Sequence, residues 1–449
     1  MSKIVLIGAG SGFGLRFSLD IMSCEALRDS TICLCDIHQG RLKQVADYVK
    51  ATIVNYDLPT KLEFDTDRTK LLPGADFVVT SVAVGGGAYY GSPFKEDVEI
   101  PRKYGIEQSV ADSTSVGAIF RFLRTGPVHL QILRDMEKYC PNAVHLNHTN
   151  PMAMLSWMHS TQTSLKTVGL CHGIYATNSV LCRYLGIPNT DARYKVAGIN
   201  HMAWFLEWKL ANGENLYKRL DNALENKDDP KTAQFMLDES VRLDIYKNFG
   251  YFPTESNRHD SEYLPYFRRT AEMLEAYSLP IREVPSSPPK VREWMKDGAA
   301  ESKGAKLVRS NEYTTYIMEA IVTNEPFRFN GNVLNTGLIT NLPQRCCVEV
   351  PCFADAHGIN PTYVGDLPSQ LAALNISNVN VQMLAVEAVA NKNKEAAFHA
   401  CALDPNAAAM LTLDKIRAMF EEMWEAEKDH LLWFDPEHKG PLPEICAPN

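Results

Sequence analysis

The groups with most chemistry to offer in this sequence are a thiol, several imidazoles and a few acids gathered in short polar segments. Leu170-Cys171-His172-Gly173 closes an apolar run, and Gly198-Ile199-Asn200-His201-Met202 follows about thirty residues later. A thiolate and an imidazole, here Cys171 and His201, can hold a divalent ion and leave positions open for substrate oxygens. Taken alone the pair does not decide the matter: a cysteine at a strand end more often packs, and a histidine is more often a satisfied polar residue. Other polar clusters recur at Asp112-Ser113-Thr114, Asn147-His148-Thr149-Asn150-Pro151, Thr254-Glu255-Ser256 and His259-Asp260-Ser261-Glu262-Tyr263. Helix caps and turns are the ordinary explanation of such clusters.

A second kind of chemistry is written near the N-terminus. Gly8-Ala9-Gly10-Ser11-Gly12-Phe13-Gly14 stands between an apolar run and an amphipathic one. Glycines there let the chain turn tightly and let backbone N–H groups approach a pyrophosphate at a helix N-terminus. The third fingerprint position holds Phe13 instead of Gly or Ala, which weakens the motif. Asp36, about 20 residues on and at the end of the next apolar run, strengthens it: an acid there accepts from a ribose diol and repels a 2′-phosphate, favouring NAD over NADP.

These groups need a scaffold, and the hydrophobic pattern supplies one. Lys3 to Ile7, Thr31 to Cys35, Ala75 to Ala83, Ala143 to Asn147 and Thr167 to Cys171 read as buried strands, the third closed by Gly85-Gly86-Gly87. Helical stretches separate them, beginning with Leu15 to Ala26. Strands alternating with helices imply an α/β, Rossmann-like doubly wound parallel sheet, with ligands beyond the carboxyl ends of its strands. After about residue 190 the pattern changes to a strand at Met202 to Leu210, a Pro/Ser-rich loop at Pro280 to Pro289, and helical spacing from Ala372 to Leu432. The expected division is a nucleotide-binding domain over 1–195 and a mostly helical α+β domain over 196–449.

Bulk properties narrow the class. With 449 residues the chain is too long for one small core, and two lobes are the default. A net charge of −9 argues against a nucleic-acid partner. Eleven cysteines, odd in number and irregular in spacing, fit reduced thiols in a cytoplasmic protein better than a disulfide framework. Met-Ser-Lys running at once into a strand does not read as a signal peptide, and no apolar run is long enough to span a bilayer.

Taken in order, these segments resemble glycoside hydrolase family 4 over nearly the whole chain. The resemblance is carried by Gly8 to Ser11, Asp36-Ile37, DVEIPRKYG (Asp97 to Gly105) and FRFLRTGP (Phe120 to Pro127). It continues through NHTNPM (Asn147 to Met152), CHG (Cys171 to Gly173), GINHMAW (Gly198 to Trp204), SEYLPYF (Ser261 to Phe267), Asn335 to Pro343 and VEVP (Val348 to Pro351). That family is an exception to two-carboxylate glycoside hydrolysis. The resemblance implies that NAD+ takes a hydride from C3 of the sugar, that the C2 proton then leaves, and that the aglycone departs from C1. Water adds and the hydride returns. It also implies Mn2+ on Cys171 and His201, and sugar hydroxyls held by Asn150. Tyr263 is implied as base for the C2 proton, with Asp112 raising its basicity and Asp260 as an alternative. A tyrosine base needs help, because its free pKa is about 10.

Departures within the family point to the substrate. Members acting on 6-phosphosugars carry Asp after the ligand cysteine and a basic residue ahead of the DxxIP segment; here stand His172 and Phe94. The expectation is an unphosphorylated α-glycoside, with His172 as leaving-group acid or sugar contact. His172-Gly173 resembles the α-glucuronidase or α-galacturonidase type, where His-Ser is usual for α-galactosidases. DVEIPRKYG and GINHMAW resemble α-galactosidases. A uronide is therefore the first expectation, and an α-galactoside or α-glucoside the alternative. Arg258 or Arg268 could pair with a uronate carboxylate, although a solvated arginine is the ordinary reading of each. The resemblance also implies a homodimer or homotetramer. A lactate- or malate-type dehydrogenase and a non-enzymatic NAD sensor are the rival classes.

Overall fold

The computed structural model describes residues 1–85, 91–285, 307–438, 440 and 442. Gly86, Gly87 and residues 286–289 of the Pro/Ser-rich stretch lie outside them. Six strands form the first half of the molecule: β1 (Lys3–Ile7), β2 (Thr31–Cys35), β3 (Lys61–Asp65), β4 (Phe77–Thr80), β5 (Val144–Asn147) and β6 (Lys166–Gly169). They pair in parallel in the order β3-β2-β1-β4-β5-β6, that of a dinucleotide-binding sheet.

Residues of β1, β2 and β4 pack alternately into two cores. Ile4, Leu6, Ile32, Leu34, Phe77 and Val79 join one buried cluster, and Val5, Ile7, Cys33, Cys35 and Val78 join another. Side chains alternate across a strand, so a sheet covered by helices on both faces needs apolar residues at every position. KIVLI and TICLC meet that need.

The sheet does not stop at β6. β7 (Ala192–Ile199), β8 (Met202–Leu210), β9 (Phe327–Leu334), β10 (Cys347–Asp355) and β11 (Gly358–Pro361) extend it to eleven strands, in the order β6-β9-β10-β7-β8 with β11 on β10. All these added pairings are antiparallel. Residue 195, the expected boundary, falls inside β7, and the second half shares the sheet of the first. Long helices cover it, among them Val116–Tyr139 and Ser369–Asn391. Helices Leu216–Glu225, Pro230–Asp238 and Ser240–Phe249 sit beside β7 and β8, where Val196, Ala203, Phe205 and Trp208 form a third cluster with Leu216, Leu220 and Phe235.

A buried ion triad ties the C-terminal segment to this body. Arg124, in the helix Val116–Tyr139, donates to Asp97 at 2.7 Å and also to Glu427. The ten described cysteines are all free. Among the described residues no helix is long and apolar enough to cross a membrane.

Candidate functional site

The glycine loop leaves β1 at Gly8, whose φ of +87° lies in the left-handed region. A Cβ there would meet the Ser81 carbonyl oxygen at 2.4 Å, so the backbone at the mouth of β1 and β4 has no room for a side chain. Gly10 N donates to Asp36 Oδ2 at 2.8 Å, and His38 N donates to Asp36 Oδ1 at 2.8 Å. Asp36 thus braces the loop at the end of β2. The close approach expected of the third glycine is made at Gly14, where a Cβ would stand 2.1 Å from the Ala9 carbonyl oxygen. Phe13 remains exposed and packs near Phe17 and His148. Helix Gly12–Ser23 begins at Ser11, which makes no side-chain cap, and has no acid in its first turn. Its first N–H groups and its dipole therefore suit an anion, and the cradle fits a dinucleotide pyrophosphate.

A second convergence arises where the two halves of the sheet meet. One row runs across four strands: Gly169 of β6 faces Asn332 of β9, Asn332 faces Glu349 of β10, and Glu349 faces Gly198 of β7. Cys171 follows β6 by two residues. Asn200 and His201 form the tight turn between β7 and β8, with His201 at φ +62°. A residue other than Gly or Asn held there signals a backbone fixed by its surroundings. The row brings the thiol and the imidazole together although 30 residues separate them in sequence.

Glu255 joins them. One donor atom each from Cys171, His201 and Glu255 lies within 4.8 Å of the others, and Asp112, His201 and His259 form a second such trio. Glu255 Oε2 is 3.9 Å from His201 Nε2, and its Oε1 is 3.9 Å from His259 Nε2. Asn150 Nδ2 donates to Asp112 Oδ2 at 3.2 Å, and Ser113 donates to Asp112 Oδ1. Tyr263 closes the short helix Asn257–Tyr263, fully buried, its hydroxyl without a hydrogen-bond partner. Asp260 is equally buried with neither oxygen partnered.

The electrostatics of the cluster favour a cation. Burial, then Glu255 and Glu349, push the Cys171 thiol well above its usual range. Burial and Glu255 push the Glu349 carboxyl up to about 8. Burial, then Asp112, Cys171, Asp260 and Glu255, hold the Tyr263 phenol well above its usual range. Burial keeps His201 at about 4, neutral at pH 7 and in the form that ligates metals. Burial also raises Asp112, but His259, Arg121 and His201 outweigh it and bring that carboxyl to about 2. Burial raises the Asp260 carboxyl well above its usual range, against the pull of Arg242. A thiol, carboxyls and a neutral imidazole facing one another fit a divalent ion.

His172 stands at the mouth of the site as the residue before helix Gly173–Leu185. Its Nδ1 is 4.0 Å from Glu312 Oε1. Glu312 lies in no segment that the sequence marks, and Glu349 is marked only as part of VEVP. Glu349 did carry a signal, as an acid between the valines of an apolar strand that runs from Cys347 to Asp355; Glu312 carried none. Neither arginine weighed for a uronate reaches the cluster. Arg268 is buried, bonded to the Glu107 carbonyl, Ser109 Oγ and Ser261 Oγ. Arg258 is exposed and lines a separate cleft of about 460 Å³ with Gln234 and Leu279.

Comparison with known proteins follows the same lines. An alpha-galactosidase of Bacillus subtilis (strain 168) is 40% identical over 445 residues, covering 98% of this chain and 100% of the relative. An alpha-galacturonidase of Thermoanaerobacter italicus (strain DSM 9252 / Ab9) is 28% identical, covering 96% and 97%. The 6-phospho-beta glucosidase of Thermotoga maritima, solved with manganese, NAD+ and glucose-6-phosphate, shares the fold. Its TM-score is 0.75 at 20% identity, with 96% of this chain and 99% of that one covered. The model described as Family 4 glycosyl hydrolase matches residues 3–187, and that of the Family 4 glycosyl hydrolase C-terminal domain matches 196–407. With nucleotide cradle, cation-seeking cluster and both family models in register on one chain, this protein belongs to glycosyl hydrolase family 4.

Proposed function

We propose that the chain hydrolyses an unphosphorylated α-galactoside with NAD+ on the Gly8–Gly14 loop and a divalent cation, Mn2+, on Cys171 and His201. The observation that carries this reading is the meeting of Cys171, His201, Asp112, Asn150 and Tyr263 at the carboxyl ends of the nucleotide-binding strands. When bound, NAD+ supplies a hydride acceptor for the sugar, and the cation supplies positive charge for the sugar oxygens. The chain's own groups do the rest. Asn150 and the ionised Asp112 hold sugar hydroxyls and fix the ring. Tyr263 takes the C2 proton, a role for which nearby positive charge must offset the burial and the acidic neighbours that raise its own pKa. Asp260, equally buried, is the lesser candidate for that role. His172, beside Glu312, gives the proton to the departing glycosidic oxygen.

Two considerations favour a neutral, unphosphorylated sugar. Position 94 is a buried phenylalanine, and the residue after Cys171 is a histidine. The 40% identical relative is an alpha-galactosidase, and both arginines suited to a uronate are engaged or placed elsewhere. An α-galacturonide is the second reading, favoured by His172-Gly173 and by the 28% identical relative.

The test is hydrolysis of aryl α-D-galactoside, α-D-galacturonide, α-D-glucuronide and α-D-glucoside with NAD+, Mn2+ and a reductant, omitting each in turn. The reading expects galactoside cleavage that needs both NAD+ and Mn2+ and yields no net NADH. Preferential cleavage of a uronide would replace the sugar. Turnover without NAD+ or metal would overturn the reading.

A further inference from the structure

Glu255 occupies an unusual backbone conformation. Its φ is +78°, in the left-handed region that a side chain disfavours. Two residues hold it there. Glu255 N donates to Thr177 Oγ1 at 2.9 Å, and Arg242 Nη1 donates both to Thr177 Oγ1, at 3.0 Å, and to the Glu255 carbonyl oxygen. Arg242 is itself fixed by Glu239, to which Nε donates at 2.6 Å. This buried brace turns the carboxylate inward, over the start of helix Gly173–Leu185. There Gly173 has no side chain, and a Cβ at that position would stand 2.1 Å from Glu255 Oε2 and 3.5 Å from Cys171 Sγ.

We propose that Glu255 is a third protein ligand of the divalent cation and that the bare α-carbon of Gly173 admits it. The proposal rests on the metal reading of Cys171 and His201. A thiolate and an imidazole are ligands that suit softer ions such as Zn2+, whereas a carboxylate adds the hard oxygen that Mn2+ prefers. On this account Gly173 leaves the space through which the Glu255 carboxylate reaches the metal shell.

The experiment is Mn2+ binding to the full chain, read by electron paramagnetic resonance of the free ion, with no sugar or NAD+ present. Glu255→Ala is expected to weaken Mn2+ by about tenfold or more, by analogy with the loss of groups that support a metal. Gly173→Ala is expected to weaken it similarly, because the new methyl displaces the carboxylate. In the double variant Glu255→Ala, Gly173→Ala the methyl meets only Cys171 Sγ, at an ordinary contact distance of 3.5 Å, and its affinity should equal that of Glu255→Ala alone. Zn2+ binding should fall less than Mn2+ binding in all three. Unchanged Mn2+ affinity in Glu255→Ala, or losses that multiply in the double variant, would overturn the proposal. Cys171→Ser separates the two layers of the argument. If it loses Mn2+ while Glu255→Ala keeps it, only the third ligand is wrong; if the unaltered chain takes up no Mn2+, the metal reading fails with it.

Discussion

Tyr263 carries a hydroxyl that makes no hydrogen bond inside the protein, which gives a residue-scale prediction with opposite signs for activity and stability. Tyr263→Phe should lower kcat by about 10²–10⁴, the usual contribution of a positioned proton acceptor. It should leave the thermal midpoint unchanged or raise it, because a buried polar atom without a partner is removed. Steady-state kinetics and a melting curve on the same preparation check both halves. At the nucleotide loop, Asp36→Asn keeps the shape and removes the charge. It should weaken NAD+ and narrow the preference over NADP+, as read by the two dissociation constants. Most of these groups were legible in the sequence because they sit in short polar segments directly after apolar strands. Glu255 stood out only as one member of a titratable cluster, since nothing local reveals that its backbone is left-handed. Glu312 was invisible because it reaches His172 from 140 residues away in the chain.

Elements carry the next predictions. Where β4, β5 and β6 meet the helices Val116–Tyr139 and Met152–Gln162, three histidines are buried together. His129 Nδ1 lies 3.1 Å from His159 Nε2 with the two rings stacked, and His145 packs against His159 with its ring tilted. Burial, and then the neighbouring His145 and His148 respectively, hold His129 and His145 at about 3. A histidine whose folded pKa is depressed stabilises the fold above its unfolded value, about 6.5. That stability drains as pH falls toward 3, because the unfolded chain binds more protons. Urea unfolding at pH 5 should show a loss relative to pH 7 on the order of 2 kcal/mol per histidine, and an equal free energy at the two pH values would refute this. The Arg124 triad makes a sharper case. Arg124→Leu strands Asp97 and Glu427 without their cation and should cost about 3–5 kcal/mol, measured by the same unfolding. Five of the six parallel strands were readable as apolar runs. β3, β9 and β10 were not, since KLEFD is half-exposed at an edge, and FRFNGNVL and CVEVPCFAD break any strict alternation with Asn, Gly, Glu and Pro.

At the scale of the molecule, one sheet runs through both expected domains. A nucleotide-binding half and an antiparallel half share one sheet, and the row from Gly169 to Gly198 is the seam. The cation cluster forms at that seam, close to the loop that would hold NAD+. Local pattern cannot reveal this continuity, because it depends on the pairing of β6 with β9, whose residues lie far apart in the chain. The proposed function makes a definite prediction about chemistry: hydrolysis should proceed through loss of the proton at C2 of the sugar. The most direct measurement is hydrolysis of an aryl α-galactoside in D2O with NAD+ and Mn2+, followed by NMR of the released sugar. The account predicts deuterium at C2. A product that keeps its original hydrogen at C2, formed at the same rate without NAD+, would contradict it.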